Sequence, residues 1–161
     1  MRHAKAEPFA ADDHHRELTD RGRRDAAAAG AWLVAEGLFP THAFVSSASR
    51  ALGTWEAVAR ASEDDVEVRV EDGLYTGGPD SVLDTLRTAP ADASIVLYVG
   101  HNPTAASLAH LLDDGDPEPE AFRAISAGYA PAGMAVLDVH VAWEDLAAAS
   151  GRLIAFHVGH G

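Results

Sequence analysis

Two arginines and two histidines, spread along the chain, carry the chemistry that this sequence can do. They fall in three short segments: Arg2-His3-Ala4-Lys5, Ser46-Ser47-Ala48-Ser49-Arg50 and Val99-Gly100-His101-Asn102-Pro103. A guanidinium presents a planar fork of donors that matches the oxygens of a phosphoryl group. A neutral imidazole can attack phosphorus and form a covalent intermediate. A second imidazole, protonated, can donate to an oxygen as charge redistributes in the transition state. Asn102 is a suitable N-cap and Pro103 suits a first helical position, which would hold His101 at the mouth of a helix, with Asn102 beside a bound anion. If the three segments converge, the constellation reads as phosphoryl transfer without a metal or other cofactor.

Convergence requires a fold that brings these segments to one edge. Strand-like runs occur at Ala43–Ser46, Val66–Val70, Ser94–Val99, Met134–Val141 and Leu153–Val158. Helical patterns lie between them: one behind a Thr19 N-cap and stopping at Gly37, one from Ser49 to Ala61, one from Asp80 to Leu86, and one from Asn102-Pro103 to Leu112. The acidic, Pro-containing stretch Asp113–Glu120 reads as a loop. Alternating strands and helices predict an α/β fold, a three-layer α/β/α sandwich around a mostly parallel central sheet. In such sheets ligands bind beyond the carboxyl ends of the strands, where all three segments are placed.

At this point the motifs resemble a known family. RHAK near the start, SxxxR after the next strand and VGHN after a later one are similar to the histidine phosphatase superfamily, whose fold is phosphoglycerate mutase-like. The small size and Arg2-His3-Ala4-Lys5-Ala6 look most like its SixA-type phosphohistidine phosphatases. Leu18-Thr19-Asp20-Arg21-Gly22 and Asp72-Gly73-Leu74-Tyr75 fall in the family's order as well, so the resemblance covers nearly all of residues 1–161, read as a single domain. The resemblance implies that His3 becomes phosphorylated and that Arg2, Arg50 and His101 form the phosphate clamp. It also implies the substrate: a phosphorylated histidine on a partner protein, such as a phosphotransfer domain of a signalling relay. The alternatives are a phosphomonoesterase of small phosphate esters and a non-catalytic phosphate-binding domain.

The chain departs from the family pattern in places. Members usually carry an apolar strand directly before the first motif, whereas this sequence begins at Met1. That strand would be central to the sheet, so its apparent truncation bears on stability and on the placement of His3. Ser47 stands where Pro is usual and Gly53 where Gln is common, the latter costing the helix up to about 1 kcal/mol against Ala. For a general acid the candidates are Asp72 and Glu71, with Asp80 nearby and Thr76 at a place where an acid often occurs. A phosphoramidate needs a strong acid less than an ester does, because its imidazole leaving group is protonated easily near neutral pH.

Composition sets the remaining limits. The sequence has 12 Lys+Arg against 25 Asp+Glu, a net charge of −13, which argues against nucleic acid and against anionic membrane surfaces. Cys is absent, excluding disulfides, a thiolate nucleophile and Cys-based metal sites. The pairs His14-His15 and His157/His160 lack the spacing of a metal site. Lys5 reads as a peripheral charge, and Trp32, Trp55 and Trp143 as packing residues. With no apolar stretch of membrane-span length and no signal-peptide core, the expected location is the cytoplasm.

Overall fold

Strand β1 (His42–Ser46) is the hub of the sheet, because its short apolar run Ala43-Phe44-Val45 is buried on both faces. It pairs in parallel with β2 (Glu67–Glu71) on one side and β3 (Val96–Val99) on the other, giving the order β2-β1-β3. The computed structural model describes residues 1–161. Strand β2 closes one edge, and its Val68 and Val70 are exposed.

Side-chain alternation divides the interior into two cores. On one face, Ala43, Val45, Leu97 and Val99 pack under α1 (Asp20–Ala35) and α2 (Ser49–Ala59). On the other, Phe44 and Tyr98 pack under α4 (Pro79–Leu86), α5 (Thr104–Leu112) and α6 (Pro119–Ser126). Helices therefore cover both faces, as expected. Thr19 caps α1 by accepting from Gly22 N at 3.0 Å, and Gly37 just past its end takes φ 68°, so both predicted ends stand.

Two helices had no sequence-based expectation. The single turn α3 (Gly73–Thr76) follows β2, and α6 opens at Pro119 inside the stretch expected to be loop. Asn102 is not the cap of α5. The Asn102–Pro103 peptide is cis, the helix starts at Thr104, and the Asn102 amide instead donates to Tyr129 O at 3.2 Å.

The remaining strands, β4 (Gly133–Val139) and β5 (Gly151–Val158), form an antiparallel pair separate from the parallel three. Only the first residues of the chain link the two sheets by backbone hydrogen bonds. Arg2 bridges in parallel to Gly100, just past β3, and Arg2 N donates to Gly133 O on β4 at 2.8 Å. Below that link, Val96–Tyr98 and Met134–Val136 line a largely apolar cavity of about 510 Å³. The Met1 ammonium is buried at the top of it and donates to Tyr98 O at 2.7 Å. No helix is long and apolar enough to cross a membrane.

Candidate active site

The parallel register brings the three motifs together. Val45 on β1 pairs with Val99 on β3, so Ser46 and the Gly100–His101 step leave the sheet side by side. Arg2 bridges to that same Gly100, which sets His3 beside them. Thr54 of α2, fully buried, accepts from Ala4 N at 3.0 Å and donates to Arg50 O at 2.6 Å, tying the nucleophile's segment to the helix that carries Arg50. His3 and His101 lie with ring centroids 5.2 Å apart.

His3 is buried, and its Nδ1 donates to Ala4 O at 2.8 Å. With the proton held there, Nε2 keeps a bare lone pair. Burial pulls the imidazole down to about 4, with Arg50, Arg2 and Arg16 pushing the same way and the Ala4 carbonyl opposing them. Neutral His3 is thus the ground state at ordinary pH, which is what a nucleophile needs.

Arg2 donates from Nη1 to Tyr129 O at 2.7 Å. Arg50, also buried, donates from Nη1 to Asp13 O at 2.7 Å and from Nη2 to Asp13 Oδ2 at 3.0 Å. Each guanidinium is anchored, yet the Nε of each is buried without a protein partner, as is His101 Nδ1. Buried polar atoms of this kind are rarely left unpaired, and two guanidinium donors beside an imidazole nitrogen suit anionic oxygens as partners.

Burial, followed by Arg50 and His3, also brings His101 down to about 4. His101 is therefore neutral at ordinary pH in this structure, and a neutral ring donates only from the nitrogen that carries its single proton.

Several members of the site were given no role there by the sequence. Asp13 gathers Arg50, Arg16 (Nη1 to Oδ1, 2.9 Å) and the Tyr75 hydroxyl (to Oδ2, 2.8 Å). The Tyr75 hydrogen bond, with Arg50 and Arg16, holds its carboxyl below the ordinary range, so it stays ionised. His14 stands edge-on to Tyr75 at 4.8 Å, and Tyr75 edge-on to His101 at 5.7 Å, forming an aromatic rim. Asp13 was one acid among 25, and only its tertiary neighbours set it apart.

Of the carboxylates considered as general acids, Glu71 accepts from Arg69 at 2.7 Å and Asp72 is exposed; neither carboxylate bonds to Arg2, His3, Arg50 or His101, and Asp72 meets the site only through its carbonyl, which accepts from Tyr75 N at 3.0 Å. Asn102 shares the Tyr129 carbonyl with Arg2. Among the remaining histidines, His157 stacks on Trp32 at 4.4 Å and serves packing.

The sequence profile described as the histidine phosphatase superfamily (branch 1) matches residues 1–75. An uncharacterised protein of Mycobacterium leprae is 33% identical over 163 residues, covering 98% of this chain and 99% of its own. Among solved structures, a protein assigned as the phosphohistidine phosphatase SixA of Nakamurella multipartitia superposes with a TM-score of 0.83 at 37% identity, over 98% of this chain and 92% of that one. A second protein so assigned, from Agrobacterium tumefaciens, gives 0.76 at 26% identity, over 98% and 94%.

Proposed function

Because the chain belongs to the histidine phosphatase superfamily, we propose that it removes phosphate from a phosphorylated histidine on a partner protein, through a covalent intermediate on His3. One observation carries this reading: a buried histidine with a bare Nε2 stands among buried polar atoms without protein partners, the two guanidinium donors Arg2 Nε and Arg50 Nε and the imidazole nitrogen His101 Nδ1. The Nε2 lone pair attacks phosphorus while the bond from phosphorus to the partner's imidazole breaks. The leaving nitrogen keeps that electron pair, and its ring takes its proton from solvent. Water then attacks phospho-His3, the N–P bond breaks, and inorganic phosphate leaves with His3 restored. Arg2, Arg50 and His101 gain strength as charge builds on the phosphoryl oxygens.

The state of the carboxylates supports a phosphoramidate over an ester. Glu71 is engaged by Arg69, and Asp13 is held ionised by Tyr75 and two arginines. An alkoxide leaving group would need an acid that neither supplies, and the exposed Asp72 carboxylate bonds to no residue of the site. The solved relatives, assigned as phosphohistidine phosphatases, agree with that preference.

The test compares a phosphohistidine-bearing domain with p-nitrophenyl phosphate as substrates. Turnover of the phosphoprotein, with acid-labile and alkali-stable phosphate trapped on the enzyme and lost in His3→Ala, is expected. Efficient turnover of the ester alone would discard the reading, and no adduct from any donor would leave a phosphate-binding domain. Arg50→Ala should lower kcat about 10²–10³-fold or more without unfolding the protein. Near-normal kcat would remove Arg50 from the clamp.

A further inference from the structure

Ser46 ends β1 with its side chain fully buried, and its hydroxyl meets His101 Nε2 at 2.8 Å. The same oxygen accepts a longer bond, 3.4 Å, from Ala48 N. We infer that Ser46 donates to His101 Nε2 and thereby fixes that ring's only proton on Nδ1, the nitrogen left for a phosphoryl oxygen.

Counting donors and acceptors decides between the two tautomers. A serine hydroxyl has one hydrogen and two lone pairs, and a neutral imidazole has one N–H and one lone pair. If Nε2 carried the proton, Ser46 would accept from both Ala48 and His101. Its own hydrogen would then be buried with no acceptor in contact. His101 Nδ1, already without a protein partner, would be a bare lone pair facing an anion. With the proton on Nδ1, the Ser46 hydrogen finds the Nε2 lone pair, the Ala48 N–H keeps its acceptor, and the one remaining donor is the one an oxyanion needs. Unpaired buried polar groups are costly, so the second arrangement prevails.

His3 and His101 are then the same tautomer put to opposite uses. The Ala4 carbonyl holds the His3 proton on Nδ1 and leaves an Nε2 lone pair for attack. Ser46 occupies the Nε2 side of His101 and leaves an Nδ1 proton for donation. Ser46 is a positioning residue, acting through His101. Its kinetic consequence rests on the proposed phosphatase reading; the tautomer itself does not.

Long-range ¹⁵N–¹H correlation spectra of the imidazoles, with the His101 signals identified by their loss in His101→Ala, test the inference directly. The wild-type protein should show protonated Nδ1 and unprotonated Nε2 at His101, and Ser46→Ala should give a mixture of tautomers. A wild-type ring protonated on Nε2 overturns the inference without recourse to any variant, as does an unchanged tautomer in Ser46→Ala. In turnover of the phosphohistidine domain, Ser46→Ala should lower kcat about tenfold, Ser46→Thr should restore most of it, and Ser46→Ala should cost nothing further in His101→Ala. If His101 is protonated on Nδ1 but His101→Ala turns over normally, the phosphoryl role of His101 falls while the Ser46 assignment stands.

Discussion

Arg50 keeps one edge of its guanidinium free because Asp13 takes the other, through both its carbonyl and its carboxylate. The carboxylate is half exposed and negative, so in Coulomb terms it disfavours an anion nearby, but solvent screens that repulsion. Its orienting effect on a buried arginine is not screened in the same way. Asp13→Ala should therefore lower kcat/KM for a phosphohistidine domain by about 10- to 100-fold with little change in Tm. A variant with improved kcat/KM would show that repulsion dominates. The His3 titration is a second check at this scale. Burial, with Arg50, Arg2 and Arg16, puts the native pKa at about 4 rather than 6.5, so an NMR titration should find the ring neutral through pH 6. A midpoint near 6.5 would contradict the buried, arginine-flanked placement. Arg2, His3, Arg50 and His101 were legible in the sequence because their types and spacing have a chemical meaning at that sheet edge. Ser46 and Tyr75 lie in the SxxxR and Asp72–Tyr75 motifs, but their roles, like that of Asp13, were not legible, because an acid, a phenol or a hydroxyl acquires its role only from what the fold sets against it.

At the scale of elements, α1 and α2 show why one substitution can have two signs. Gly53, midway along α2, has room: an added Cβ would meet only Leu18 carbons at 3.5 Å. Gly53→Ala should raise stability by about 0.5–1 kcal/mol, since glycine costs a helix roughly that much against alanine. Gly30 on α1 is the point of close approach to α2, where a Cβ would lie 2.5 Å from Val58 O. Backbone cannot yield as a flexible side chain does, so Gly30→Ala should destabilise by about 1–3 kcal/mol. Chemical denaturation of the pair measures both; equal signs would refute the packing argument. The sequence marks Gly53 as a departure from the family but gives Gly30 no mark, because its constraint comes from another helix. The same division explains the elements themselves. Helix α1 could be read from its cap and apolar spacing, whereas α3 is one turn long and α6 begins within an acidic run that resembles a loop.

The whole molecule turns on the cavity between its two sheets. The family resemblance implies a central strand before the first motif; the structure has two sheets linked by backbone hydrogen bonds only through Met1–His3, with about 510 Å³ of mostly apolar space below that junction. His3 and His101, buried with native values of about 4 against 6.5, bind fewer protons folded than unfolded. The stability they contribute is therefore present above pH 6.5 and is lost as the pH falls toward 4, with a slope of at most ~1.4 kcal/mol per pH unit for each ring. Chemical denaturation between pH 4 and 7 checks this, and a flat profile would contradict the burial of both rings. The cavity makes a separate prediction: a variant with about five apolar β-forming residues placed before Met1 supplies a strand to pair with β3. Filling even part of the apolar space should add at least ~2 kcal/mol, or about 4–8 °C in Tm. An equal Tm would show that the cavity does not receive a strand.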